Sequence, residues 1–314
     1  MTEIKLVFDE PVQRKKIPKH LADLAPADRK AWATELGFPG YRATQVATHY
    51  FSHLAHDPST WTDVPADSRQ ALADALTPSL ISLVRTVTCD NGMTRKDLWK
   101  LHDGVLVESV LMRYTDRTTV CISSQAGCGM NCPFCATGQA GLTRNLSAGE
   151  ITEQIVAAAR TCANGELPGG PTRLSNIVFM GMGEPLANYN AVSRTLRNIT
   201  DENPNGLGIS ARSVTVSTVG LVNGIEKLMA EDLNVTLANA SVYLEAFGHL
   251  VMSWIWLEQA IAAYAAQRGD QSFYAGKRQA CDWFFRWELP RVDAQLDLLD
   301  SLDKTTLAMQ DDWF

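Results

Sequence analysis

The chain has 314 residues and a mass of 34.5 kDa, enough to bury one large core or two modest ones, which excludes a peptide hormone or a staple-dependent mini-protein. With 46% hydrophobic and 20% charged residues it is globular in composition, which excludes wholesale disorder and collagen-like or coiled-coil architecture. The net charge of -7 argues against a surface that binds polyanions everywhere, and the acidity is concentrated late: from Leu237 onward stand 6 Lys+Arg against 11 Asp+Glu, which leaves a net -2 for everything before it.

In chain order, residues 1–80 read as a small helical module. Helices are expected over Ala27 to Leu36, Arg42 to Leu54 and Ala66 to Leu76, punctuated by Gly37-Phe38-Pro39-Gly40 and Asp57-Pro58. Residues 81–118 alternate as short antiparallel strands, with Asp90-Asn91-Gly92 and His102-Asp103-Gly104 placed where hairpin turns fall. From Thr119 strand and helix follow each other: strands Thr119 to Ser123, Asn176 to Met180, Ser213 to Ser217 and Asn234 to Ala238, with helices Ser147 to Cys162, Ala191 to Ile199 and Gly224 to Ala230 between them. That pattern predicts a four-stranded parallel sheet over 119–238. Residues 239–314 then read as helices rich in Trp, Phe and Tyr, roughly Ser241 to Ala266, Gln271 to Leu289 and Val292 to Leu302, with no further strand-like run. No apolar run reaches the roughly 20 residues that span a bilayer, so no membrane is expected as a partner. The first residues are acidic where a secretory signal would be basic and then apolar, so the cytoplasm is the expected compartment.

Seven cysteines, three of them within eight residues, suit a reducing compartment and metal chemistry better than a disulfide frame. Those three stand in Cys121-Ile-Ser-Ser-Gln-Ala-Gly-Cys128-Gly-Met-Asn-Cys132-Pro-Phe-Cys135, on a loop after a predicted strand. Three thiolates at this spacing can hold three irons of a four-iron cubane and leave the fourth open to a ligand. A zinc knuckle with a fourth ligand elsewhere, or three buried thiols, are the alternatives. Cys89, Cys162 and Cys281 carry no motif and read as ordinary buried thiols.

With Gly181-Met-Gly-Glu-Pro185 and Val214-Thr-Val-Ser-Thr-Val-Gly220 added, residues 1–238 resemble the radical S-adenosylmethionine (SAM) RNA methyltransferases of the dual-specificity type, which place a methyl on adenine C2 in large-subunit ribosomal RNA and in tRNA. The resemblance implies an α/β fold with an incomplete radical SAM (β/α) partial barrel. It implies a 4Fe-4S cluster on Cys128, Cys132 and Cys135, two SAM per turnover, rRNA and tRNA as substrates, and a flavodoxin-like reductant protein as partner.

It also implies roles for single residues, each with a blander reading beside it. Gly183 and Glu184 would bind SAM, the glycine by close backbone approach and the carboxylate by accepting from the ammonium, although a ligand-free strand-end turn looks the same. Ser217 would serve the SAM ribose or carboxylate, or merely cap its strand. Glu108, in a strand apolar on both faces, aligns with the proton acceptor, where partial burial would suit it to take a proton; the alternative is an edge-strand carboxylate facing water. Cys121 matches the thiol that resolves a covalent RNA adduct, or is a buried strand cysteine. Arg14-Lys-Lys16, Lys19, His20 and Tyr41-Arg42 could contact RNA phosphates, or could simply be solvated.

After Ala238 the resemblance stops. The family's remaining strands, its later SAM contacts and its methyl-carrying cysteine have no counterpart in this chain. Residues 239–314, including Phe273-Tyr-Ala-Gly-Lys-Arg-Gln-Ala-Cys-Asp-Trp-Phe-Phe-Arg-Trp-Glu-Leu-Pro290, resemble instead the C-terminal helices of acyl-CoA dehydrogenases, without that family's flavin-binding middle or catalytic carboxylate. This tail implies helix packing and self-association, with Trp254, Trp256, Trp283 and Trp287 as core or interface aromatics rather than a cofactor box. Two function classes follow: an adenine-C2 methyltransferase impaired by loss of part of its core, or a non-catalytic fusion product that binds a cluster at most and acts through its helical tail. A radical SAM enzyme with another substrate is a third.

Overall fold

The computed structural model describes residues 16–133, 135–230, 240–266 and 269–300, and these fall into two units that divide between Glu231 and Asp232. The expected fourth parallel strand, Asn234 to Ala238, lies outside the described residues.

The first unit is a mixed α/β structure. It opens with α1 (Pro26–Glu35), α2 (Tyr41–Ala47) and α3 (Ala66–Leu76). Pro26 starts α1 where a missing N–H costs nothing, and Gly37 at φ 84° turns the chain out of it. The helix expected over Arg42 to Leu54 is interrupted: α2 passes into a π turn, Thr48–Ser52. The wider turn lets three consecutive residues, His49, Tyr50 and Phe51, all reach the core, which a regular α-helical stripe does not do.

Strands β1 (Ile81–Cys89), β2 (Thr94–Leu101) and β3 (Leu106–Arg113) form an antiparallel meander. Its first turn holds Asp90, Asn91 and Gly92 all at positive φ, and Gly104 at φ 89° closes the second. β4 (Thr118–Cys121) pairs antiparallel with β3 and parallel with β7 (Asn176–Phe179), which pairs parallel with β8 (Val214–Val216). Meander and parallel strands are thus one six-stranded sheet, in the order β1-β2-β3-β4-β7-β8. Between β4 and β7 come the small hairpin β5 (Gln125–Gly127) and β6 (Leu142–Asn145), with the short α4 (Ala136–Gln139) in its loop, and then α5 (Ala148–Ala163). α6 (Tyr189–Thr200) joins β7 to β8, and α7 (Val222–Ala230) follows.

Helix α5 is the axle of this unit. Ser147 and Glu150 close a capping box at its start, and Arg144 of β6 forks onto Glu150 (2.7 Å) and Asp103 (2.7 Å), tying hairpin, meander and helix together. Gln154 exchanges hydrogen bonds with the Ser123 backbone on the sheet side (2.9 and 3.0 Å), while Glu153 accepts from Tyr50 on the helical-module side (2.5 Å). The sheet face carrying Val107, Leu111, Val120, Ile177, Phe179 and Val214 is buried, as are Ile151, Ile155 and Val156 of α5. The module is also fixed to α6: Arg29 donates to Asn198 Oδ1 (3.0 Å), and Asn198 donates to the Ala22 carbonyl (2.7 Å).

One expected surface residue is interior. His20 is fully buried beside Tyr50, with its Nδ1 accepting from the Ala22 N–H at 3.0 Å, so it is not available to RNA phosphate. Burial first, then the nearby Arg29 and Arg160, push its pKa down to about 3. Below pH 6.5 the unfolded chain therefore binds a proton that the folded chain refuses until about pH 3, and stability falls as pH falls through that window. At pH 5 the loss amounts to about 2 kcal/mol. His20→Asn keeps an acceptor for Ala22 and should shrink the difference in opening free energy between pH 7 and pH 5, read from amide exchange in α1 and α5, by about that amount. An unchanged difference would remove His20 as the cause.

Cys89 also departs from expectation. It is exposed, because β1 is an edge strand whose residues from Ser82 to Cys89 all face solvent; Cys162 and Cys281 are buried as expected.

The second unit consists, among its described residues, of α8 (Ala240–Ala265), α9 (Gln271–Trp283) continuing through a π turn at Phe284–Glu288, and α10 (Arg291–Asp300), with α9 and α10 both against α8. Asp270 caps α9 by accepting from Ser272 and Phe273. Its described tryptophans are not core: Trp254, Trp283 and Trp287 are more than half exposed and Trp256 is partly covered. Among the described residues no helix is long and apolar enough to cross a membrane.

Candidate active site

Three loops meet at the C-terminal end of the parallel strands, where α/β sheets bind ligands. The first follows β4. Ile122 to Ala126 are buried although three of the five are polar; the side chains of Ser123 and Gln125 and the backbone of Ser124 are bonded to the neighbouring loop, while the Ser124 hydroxyl has no partner. Ser123 Oγ donates to the Glu108 carbonyl (2.6 Å) and accepts from the Met182 N–H (2.9 Å); the Ser124 and Gln125 N–H groups donate to the Met182 carbonyl; Gln125 Oε1 accepts from the Glu184 N–H (2.8 Å). These bonds seat the second loop, Gly181 to Pro185, directly on the first. The approach is so close that a Cβ on Gly183, which sits at φ 101°, would lie 2.4 Å from the Gln125 Cβ, and one on Gly181 would lie 2.6 Å from the Ile122 carbonyl. Both glycines are required for the contact between the loops. Asn188 adds a clamp, donating to the carbonyls of Ser124 and Leu146 (both 2.8 Å).

Glu184 is 3% exposed and begins the turn Pro185–Asn188. One carboxylate oxygen accepts from the Leu186 N–H (2.9 Å) and Thr218 Oγ1 (2.7 Å), the other from the Val219 N–H (2.8 Å). The carboxylate therefore fastens the third loop, the one after β8, to the second. With about four lone-pair sites and three of them used, it keeps room for one more donor. Ser217, the first residue beyond β8, is exposed.

The cysteine loop spans the β5–β6 hairpin. Its backbone turns tightly: Asn131 has φ 50°, the Cys128 N–H donates to the Gly141 carbonyl (2.9 Å), the Cys135 N–H to that of Cys132 (3.1 Å), and a Cβ on Gly127 would overlap the Gly141 carbonyl at 2.0 Å. Cys128, Cys132 and Cys135 are all free thiols, partly exposed. Among the described residues no group of three or more His, Cys, Asp or Glu is drawn together closely enough to hold a metal ion. The donor set fits a thiolate-bound cluster in kind, number and access, and sites of this kind commonly form only with the metal.

Glu108 and Cys121 lie on the sheet face opposite the helices. Cys121 pairs with Val110, two residues from Glu108 on the same side of β3, so the two are diagonal neighbours. The apolar burial expected around Glu108 is absent: its carboxylate is 41% exposed and ion-paired with Lys96 at 2.8 Å. β3 is an inner strand, so the residue is not at an edge either; only one sheet face is covered, and Glu108 is on the other. Burial pushes the Cys121 thiol up, tempered by the Met180 backbone N–H beside it. Of the basic residues proposed for RNA, Lys16 and Lys19 are exposed, with Lys19 over the Trp32 ring, and Arg42 stacks on the exposed Tyr41 ring; Arg14 and Lys15 lie outside the described residues. Sequence reasoning passed over Ser123, Gln125, Asn188 and Thr218. The polar run between strand and cysteine loop was the signal for the first two.

Comparison with known proteins finds separate likenesses for the two parts of the chain. The chain is 63% identical over 237 residues to the "Probable dual-specificity RNA methyltransferase RlmN" of Nocardioides sp., covering 76% of this chain and 63% of that protein. Its likeness to the protein of the same name from Thermobifida fusca is 62% over 234 residues, or 74% and 64% of the two chains. A crystal structure of a radical SAM methyltransferase from Sphaerobacter thermophilus matches with a TM-score of 0.62 at 45% identity, over 67% of this chain and 60% of that one. Residues 220–310 match the family model described as "Acetyl-CoA dehydrogenase C-terminal like". The chain thus resembles radical SAM RNA methyltransferases over about three quarters of its length, spans less than two thirds of theirs, and resembles acyl-CoA dehydrogenases towards its end.

Proposed function

We propose that the first unit is the cluster- and SAM-binding part of a radical SAM methyltransferase of the type that methylates adenine C2 in 23S rRNA and tRNA, carried here without the methyl-bearing cysteine. The observation that carries this reading is the meeting of the loop after β4, which leads into the cysteine hairpin, with the Gly181–Pro185 turn and the loop after β8 at one end of the parallel strands, in a chain 63% identical over 237 residues to an RNA methyltransferase.

Cys128, Cys132 and Cys135 would hold a 4Fe-4S cluster. When bound, such a cluster with one open iron supplies the electron that cleaves SAM. Gly183, whose missing Cβ lets Gln125 approach, holds the turn in place for SAM, Glu184 offers its remaining lone pair to the SAM ammonium, and the exposed Ser217 hydroxyl serves the ribose or carboxylate. Glu108 is placed to accept the proton released from the adenine ring, with Lys96 holding its carboxylate in position. Cys121, whose thiol burial keeps protonated at neutral pH, needs a base before it can resolve an adduct, and Glu108 shares its sheet face. Lys16, Lys19, Tyr41 and Arg42 provide cations and an aromatic ring for RNA, and a flavodoxin-like protein is the expected reductant. Free, partly exposed thiols at the cluster loop fit the cytoplasm, where they stay reduced.

A second reading, a non-catalytic fusion product, is favoured by the dehydrogenase-like match over 220–310. SAM turnover separates the two. Chain loaded with iron and sulfide and given SAM and dithionite should consume SAM at a rate that falls to background in Cys128→Ala; consumption no faster than in that variant would favour the second reading.

A further inference from the structure

Glu184 is fixed through its backbone first. Its N–H donates to Gln125 Oε1 at 2.8 Å, and Gly183 before it is packed against the same Gln125 side chain. What these contacts leave free is the carboxylate, whose last torsion is broad and has two equivalent orientations. The loop after β8 removes that freedom with two consecutive residues: Thr218 Oγ1 donates to Oε1 at 2.7 Å, and the Val219 N–H donates to Oε2 at 2.8 Å. The Leu186 N–H also donates to Oε1, at 2.9 Å. Each carboxylate oxygen has about two lone pairs, so Oε1 is full and Oε2 keeps one. The Thr218 hydroxyl has no choice of role, because its oxygen accepts from the Gly220 N–H (3.1 Å) and its single proton goes to Glu184.

We propose that Thr218 is the positioning residue of the SAM site: by filling Oε1 it leaves one open acceptor, on Oε2, and so fixes which oxygen receives the SAM ammonium. This rests on the reading of Glu184 as the acceptor for that ammonium, and adds to it a residue that acts only through Glu184. Hydrogen bonds to an ionised group are roughly twice as strong as neutral ones, so the hydroxyl is a firm stop on the carboxylate. An acceptor oriented in advance has little freedom left to lose when its ligand binds. Valine has nearly the shape of threonine and lacks the proton. With valine at 218 the carboxylate would hold one donor on each oxygen, from Leu186 and Val219, and would offer two equivalent open positions where the threonine leaves one.

Equilibrium dialysis of the cluster-loaded full chain separates positioning from mere support of the loop. Two ligands are compared: SAM, and 5′-methylthioadenosine, which keeps the adenosine and the thioether sulfur but has neither ammonium nor carboxylate. Thr218→Val should weaken SAM about tenfold, the worth of a hydrogen bond to a charged group, and leave 5′-methylthioadenosine within about twofold of wild type. Thr218→Ser, which retains the hydroxyl, should bind SAM as the wild type does. Iron content should be equal in all three proteins, since Thr218 is not a cluster ligand. Parallel losses of both ligands in Thr218→Val would make the residue a support of the loop and overturn the proposal, as would a SAM affinity that valine leaves unchanged. A wild type that binds SAM no more tightly than 5′-methylthioadenosine would overturn it at its base, by removing the role of Glu184 on which it rests.

Discussion

Anaerobic reconstitution with iron and sulfide is expected to load about four irons per chain and to produce a broad absorption near about 400 nm, and Cys128→Ala, Cys132→Ala and Cys135→Ala are each expected to abolish both. The effect should be all or none because three thiolates are the minimum that holds a cubane with one open iron. The remaining cysteines cannot substitute. Cys89 is alone on an edge strand, burial pushes Cys162 up to about 11, and Cys281 is buried in the tail unit. Cys121 is on β4, before the hairpin that presents the loop. Cys89→Ala should therefore leave iron content untouched. Because sites of this kind commonly form only with the metal, loading should also slow amide exchange at Cys128, Cys135 and Gly141, whose backbone bonds shape the loop. Iron and sulfide contents unchanged in the triple variant would sink the assignment, and zinc held in place of iron would return the loop to the knuckle reading.

Local chemistry made much of this fold legible. α3 runs over Ala66–Leu76 as expected, the positive-φ run Asp90-Asn91-Gly92 turns β1 into β2, and Ser147 with Glu150 starts α5 by a capping box visible as Ser-x-x-Glu. What escaped depends on pairing between distant residues. The six-stranded sheet rests on β3 meeting β4, which neither strand announces by itself, and the β5–β6 hairpin is too short for an alternation to stand out. The π turn after α2 adds a residue to a helical period that sequence reasoning assumes is constant. At the site, the glycines of Gly181-Met-Gly-Glu-Pro185 told that backbones meet closely, but not that the meeting partner is Gln125. For Glu108 the apolar neighbours along its strand predict cover on both sides, whereas only the side facing α5 is covered. The basic neighbours of His20 in sequence predict a surface cation, yet its side chain is fully buried and accepts from the Ala22 N–H.

The second large effect is an absence of product. The proposed chemistry needs a thiol that carries a methyl group to the adenine ring, and the only cysteine beyond Cys162 is Cys281. It sits in α9 with 7% of its surface exposed, and burial followed by the neighbouring Asp282 pushes its thiol up, both of which make it a poor nucleophile. Removing a positioned reacting group costs the effective concentration it supplied, so transfer should fall by roughly a thousandfold or more. SAM should then be consumed without methylating RNA, and Cys281→Ala should change neither consumption nor product.

Mass spectrometry of nucleosides from an rRNA fragment, incubated with cluster-loaded chain, SAM and reductant, tests this most directly. The account predicts SAM consumption that depends on Cys128 and no 2-methyladenosine above the level without protein. Formation of 2-methyladenosine that requires the chain and disappears in Cys128→Ala would contradict it, and would show that the residues present suffice for the whole reaction.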